Sequence, residues 1–111
     1  METANQLKEE DTELYTTSMN ALELYIGALR FPSKKGINLR TTEELLYTLT
    51  ALPLTMESSR RTAEIITTLE AHGNPIGVKD SIIAGIALME YLTLLTRNIK
   101  HFSRIVGLSL R

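Results

Sequence analysis

The 111 residues suit one small domain, and their 43% apolar and 23% charged content is that of an ordinary globular protein. The absence of cysteine excludes disulfides and thiolate metal centres, and the 2 histidines, His72 and His101, are too few for a histidine-rich zinc site. A net charge of -1 excludes a polycation that coats nucleic acid. No apolar run approaches a membrane span and the polar start "METANQLKEEDTE" is no signal peptide, so a cytoplasmic protein is expected.

Residues Glu2 to Glu10 read as the end of a helix with few apolar positions. Glu13 to Met19, "ELYTTSM", is rich in Tyr and Thr and reads as a strand. Asn20 with Glu23 three residues on forms a capping-box pattern and opens the helix "NALELYIGALR". "FPSKKGINLR" is a loop, marked by Pro32, Gly36 and paired lysines. Thr41-x-x-Glu44 is a second capping pattern, opening a helix through "EELLYTLTA". "LPLT" is a short strand, which Pro53 confines to a sheet edge.

"SSRRTAEIITTLEAH" is a helix with Ala63, Ile66 and Leu69 on its apolar face and Gly73 as its stop, followed by a turn at Asn74-Pro75. Asp80 caps the helix "SIIAGIALMEY". "LTLLT" reads as a strand apolar enough to be covered on both faces. A turn of helix around Lys100 to Arg104 and a weak strand, "GLSL", end the chain. Strands that alternate with helices predict an α/β fold with a mostly parallel sheet.

Sites in such folds lie beyond the C-terminal ends of the strands. Glu23, Asp80, Thr96 and Asn98 are the candidates there. Carboxylates and an amide at one mouth suit Mg²⁺ or Mn²⁺, which activate water and steady an in-line phosphoryl displacement. Each residue also has a structural reading: Glu23 as half of a capping box, Asp80 as a cap, Asn98 as a turn residue, His101 as a surface or helix-end histidine. From Thr96 onward the chain carries Arg97, Lys100, Arg104 and Arg111 and no acid. That run is either a solvated face or a phosphate-binding surface. No Gly-x-Gly-x-x-Gly or Gly-Lys-Ser/Thr element is present, which argues against a nucleotide-binding enzyme.

In this order, "SMNALELYIGA", "DSIIAGIAL" and "LLTRNIKHFSRIVGL" resemble the PIN-domain family, especially the VapC-type toxin ribonucleases. The resemblance implies a three-layer fold over residues 1–111 as a single domain, and a metal-dependent endoribonuclease acting on RNA. It assigns Asp80 and Glu23 to the metal and Asn98 and Thr96 to the catalytic mouth. It implies an antitoxin protein as partner and a homodimer. Arg97, Lys100 and Arg104 are the expected RNA contacts. Family members begin with a central strand ending in a metal-binding Asp, and no such segment stands in this sequence. Asp11-Thr12 has the motif's letters without an apolar strand before it. The natural chain is therefore expected to be longer by roughly 15–30 residues, or a partner or swapped element to fill the gap. Activity of residues 1–111 is expected to be impaired. The competing expectation is a catalytically inactive PIN-like module that pairs with an antitoxin-like partner or with itself.

Overall fold

The computed structural model describes residues 14–32 and 38–111. The expected helix end at Glu2 to Glu10, the Asp11-Thr12 pair, and Lys34 and Lys35 of the loop lie outside the described residues. Contacts divide the chain into two compact units, the first ending at Pro53 and the second spanning Leu54–Arg111.

The first unit pairs β1 (Tyr15–Thr17) with β2 (Thr50–Leu52) in parallel, with Tyr15 opposite Thr50 and Thr17 opposite Leu52. Helix α1 (Ser18–Arg30) follows β1 without a loop, because Thr17 ends the strand and caps the helix. Its hydroxyl accepts the Asn20 N–H at 3.1 Å. Asn20 is thus the third helical residue rather than the cap, and Glu23 stands in the second turn rather than the first. The next helix, α2 (Leu39–Leu46), opens on a reciprocal box: the Asn38 side chain accepts from the Thr41 N–H at 2.9 Å, and the Thr41 hydroxyl accepts from the Asn38 N–H at 3.3 Å. Asn38, not Thr41, is the cap. The helix ends at Leu46 instead of running to Ala51, and residues 50–52 become the strand. Pro53 falls just past that strand's end, where its missing N–H removes no ladder bond.

In the second unit, α3 (Met56–Ala71) and α4 (Val78–Met89) pack along their lengths. Thr55 and Ser58 cap α3 reciprocally, the Thr55 hydroxyl accepting the Ser58 N–H at 3.1 Å. The buried face of α3 is Ser58, Thr62, Ile65 and Leu69. Of the apolar face expected from sequence, Leu69 is buried, Ile66 is half-buried and Ala63 is exposed. The reason is Gly85 on α4. A Cβ there would overlap the Thr62 hydroxyl and stand 3.1 Å from the Ser58 carbonyl oxygen and 3.2 Å from Thr62 Cα. The two backbones approach closely, so small polar residues line the seam. The Thr62 hydroxyl is satisfied within α3 by the Ser58 carbonyl at 2.7 Å.

Helix α4 is apolar nearly all round, with Ile83, Ala84, Gly85, Ile86 and Ala87 buried, as a central helix requires. Burying a side chain the size of Ile86 is worth about 1.5–3 kcal/mol. Gly73 stops α3 as expected. It adopts φ 72°, its N–H donates to Glu70, and the Asn74 N–H reaches back to Leu69 at 2.8 Å.

"LTLLT" is not a doubly covered strand: it contributes one parallel bridge, Leu94 to Leu110, and its residues are half-buried except Thr93, which is exposed. The two segments read as strands near the chain's end therefore pair with each other. The Leu94 N–H donates to Ser109 and the Arg111 N–H to Leu94, at 2.9 and 3.0 Å. A short α5 (Ile99–Phe102) lies between them and drives Phe102 into the core with Ile65, Leu69, Ile76, Ala84 and Ile105. Both pairings are parallel and flanked by helices, the α/β class expected from the alternation of elements. No helix of the described residues is long and apolar enough to cross a membrane.

Candidate nuclease site

Asp80 is the third residue of α4. Gly77 is the N-cap, at φ 94°, and no side chain caps this helix. Asp80 is therefore not the cap that sequence suggested. A carboxyl in the first turn still faces the positive end of the helix dipole. The helix beyond Asp80 is buried, Ser81 and Ile83–Ala87, and packs on α3, which holds the turn that presents Asp80. The Ser81 hydroxyl tightens the turn by donating to the Gly77 carbonyl at 2.7 Å.

Thr96 and Asn98 follow the parallel bridge. The Thr96 N–H donates to the Arg111 carbonyl at 3.4 Å, which ties the segment to the last residue. The Thr96 hydroxyl then accepts the Asn98 N–H at 3.0 Å, a local turn of the kind Thr supports. Asn98 stands at the N-cap position of α5 without capping it. Its side chain is spent on His101 instead: Asn98 Nδ2 lies 2.9 Å from His101 Nδ1. His101 Nδ1 is in turn 3.7 Å from Asp80 Oδ2. Asp80, Asn98, Thr96 and His101 thus form one polar cluster in the second unit, with Asp80 and His101 partly open to solvent.

His101 is the member that sequence reading passed over as a surface or helix-end histidine. The available signal was spacing: Asn98 and His101 are three apart at a helix start and so share a face. Glu23 lies in the first unit, exposed on α1. The donors of the cluster are a carboxylate, an amide, a hydroxyl and an imidazole. Asp80 is the one carboxylate of the cluster, and among the described residues no group of three or more His, Asp or Glu is placed to hold a metal ion.

Among the expected RNA contacts, Arg97 and Lys100 are exposed and Arg104 is half-buried. One guanidinium nitrogen of Arg104 donates to the Pro75 carbonyl at 3.3 Å. That bond braces the loop that leads into α4.

The PIN domain pattern matches residues 1–108. The tRNA(fMet)-specific endonuclease VapC of Salmonella typhimurium is 30% identical over 92 residues, covering 83% of this chain and 69% of that protein. Among solved structures, VapBC2 from Rickettsia felis bound to a promoter DNA fragment superposes with TM-score 0.85 at 31% identity, over 96% of this chain and 81% of that one. VapBC-1 from nontypeable Haemophilus influenzae superposes with TM-score 0.79 at 30% identity, over 90% of this chain and 74% of that one. The chain belongs to the PIN-domain family, in its VapC-like branch.

Proposed function

We infer that this chain is the ribonuclease of a toxin–antitoxin pair: a metal-dependent endoribonuclease that hydrolyses RNA phosphodiester bonds. The observation that carries the reading is the Asp80–His101–Asn98 cluster at the start of the central helix, in a chain of VapC-like sequence. The Salmonella relative bears the name of a tRNA endonuclease, and the solved neighbours are VapBC assemblies. Those names support an RNA substrate and an antitoxin protein as partner. One family pattern spanning residues 1–108 supports a single domain.

Asp80 would hold Mg²⁺ or Mn²⁺; the ion would activate water and steady the charge of an in-line displacement. Asn98 and Thr96 position ligands or substrate through the hydrogen bonds that fix them. Arg97 and Lys100 meet backbone phosphates, and Arg104 adds the guanidinium N–H groups that Pro75 does not use. Among the described residues Asp80 is the one carboxylate of this cluster, a weak cage for a divalent ion, so slow cleavage is expected.

A second reading is a binding module without catalysis. The exposed Leu22, Leu24 and Leu29 on α1, with Phe31 beyond it, favour a protein partner or a second copy of the chain.

The test is RNA cleavage with Mn²⁺, comparing the chain with Asp80→Asn. Slow Mn²⁺-dependent cleavage lost in the variant is expected. Cleavage that persists unchanged in Asp80→Asn removes Asp80 from the chemistry. Cleavage absent at every Mn²⁺ concentration leaves the binding module as the function.

A further inference from the structure

We propose that Arg61 and Arg104 together hold one backbone phosphate of the RNA, in a groove of the second unit where α3 meets the turn after α5. The proposal rests on the reading of the chain as a ribonuclease. It adds a phosphate subsite to that reading and brings in Arg61, which lies outside the basic run at the chain's end.

Arg61, Glu64, Ile65 and Leu69 line the groove from α3, and Arg104 and Val106 line it from the turn. Its floor is apolar and fixed, because Ile65 and Leu69 belong to the core cluster with Ile105 beside them. Its volume is about 90 Å³. That is the share of about three water molecules, enough for the oxygens of one phosphate.

Both guanidiniums are held in place by the protein itself. The Arg61 side chain is 35% exposed, so its stem is packed while its head reaches solvent. Arg104 is half-buried and donates one N–H to the Pro75 carbonyl at 3.3 Å. A guanidinium carries several N–H groups in a planar fork, so this bond fixes its plane without exhausting its donors.

Glu64 is the acid of the groove, and it lies 3.9 Å from both Arg60 and Arg61. That separation is beyond hydrogen-bond reach, and exposed pairs of this kind contribute little. A phosphate bound by two guanidiniums through charge-assisted hydrogen bonds outcompetes it. Arg60 approaches the other carboxylate oxygen of Glu64 and can keep the displaced group.

The surroundings favour RNA as the occupant. Arg97, Lys100 and Arg104 stand three and four residues apart, the spacing of one helical face. The Arg104 N–H donates to the His101 carbonyl at 3.3 Å, so Arg104 follows one turn after the cluster that contains Asp80. A run of phosphates that reaches Asp80 continues along this row into the groove. From Thr96 to Arg111 no acid repels it.

The experiment measures binding of a single-stranded oligoribonucleotide to the full chain across a range of salt, in EDTA to suppress metal-dependent cleavage. NMR of the arginine Nε–H groups accompanies it. Arg61→Gln is expected to reduce the slope of log affinity against log salt by about 0.7, the value of one single-strand phosphate contact. Arg60→Gln should leave the slope unchanged, and Glu64→Gln should bind RNA more tightly. RNA should also shift the Arg61 Nε–H resonance of the wild-type chain, a readout that needs no variant to fold. An unchanged slope in Arg61→Gln, with no shift of that resonance, would overturn the proposal and leave the ribonuclease reading standing. A shift produced as strongly by inorganic phosphate or by a glutamate-rich peptide would overturn RNA as the occupant. A chain that binds no RNA at any salt would overturn both.

Discussion

The guanidinium of Arg104 donates to the carbonyl oxygen of Pro75 across a sequence separation of 29 residues, at 3.3 Å. This bond links the end of the chain to the loop that delivers Asp80. Arg104 therefore has a structural task besides any contact with RNA, whereas Arg97 and Lys100 are simply exposed. Arg104→Ala is expected to lower stability by about 0.5–1.5 kcal/mol, the net value of one hydrogen bond, and to weaken RNA binding as well. Arg97→Ala and Lys100→Ala should leave the denaturant midpoint unchanged. Each should reduce the salt dependence of RNA binding by about one phosphate contact. Unfolding curves and salt titrations of RNA binding separate the two behaviours.

Gly85 allows α3 and α4 to approach. In Gly85→Ala the new methyl would meet a hydroxyl already held by the Ser58 carbonyl and two backbone atoms that cannot move cheaply. The gain in helix propensity is about 1 kcal/mol. Overpacking costs about 1–3 kcal/mol in a well-packed seam. The expected outcome is net destabilisation, read as a lower urea midpoint, because this seam holds the helix that carries Asp80.

Tyr91 is a non-glycine residue at φ 54°, and its side chain is 95% exposed. It closes α4 in the position where glycine is the usual stop, with the Leu92 N–H reaching back to Ala87 at 2.9 Å. Tyr91→Gly removes left-handed strain and sacrifices little packing. Stability should rise by about 0.5–1 kcal/mol after the larger unfolded-state entropy of glycine is counted. Thermal unfolding of the two proteins measures it.

Tyr47 titrates above the ordinary phenol range, because the charge of Glu43 disfavours a second negative charge beside it and the Glu43 carboxylate accepts the phenol's hydrogen bond at 3.2 Å. The folded value is raised, so any stability this pair contributes is present below the usual tyrosine pKa and is lost as pH rises through the folded value. Glu43→Gln should bring the titration back down, as measured by the ultraviolet absorbance of tyrosinate against pH.

Much of the fold was legible from sequence because the alternation of elements and the Gly73 stop are local signals. Helix starts were misplaced in a regular way. Asn20, Thr41 and Asp80 were each read as opening a helix, and each is its third residue. Thr17, Asn38 and Gly77 are the caps. In α2 the cap and the third residue are both small polar residues that satisfy each other's backbone N–H, in α1 Thr17 caps and Asn20 only donates to it, and in α4 the cap is a glycine without a side chain. In α2 the sequence displays both members of the pair without saying which is outside. The face of α3 was misread for a different reason: burial there follows the close approach of Gly85, and apolarity does not report it. Asp80, Thr96 and Asn98, three of the four residues read as a mouth, stand in one polar cluster of the second unit. His101 was not legible as a member, because its importance lies in a contact with α4 some twenty residues earlier.

The central claim is that Asp80 carries the metal-dependent chemistry of this chain. The most direct test is the thermal midpoint of the wild-type chain and of Asp80→Asn across a Mn²⁺ titration. At about a hundred times Kd, bound Mn²⁺ adds about 2.7 kcal/mol to stability, roughly a 10 °C rise for a domain of this size. A saturable rise in the wild-type chain that is absent from Asp80→Asn is the predicted result. Equal shifts in both proteins, or no shift in either, would contradict it.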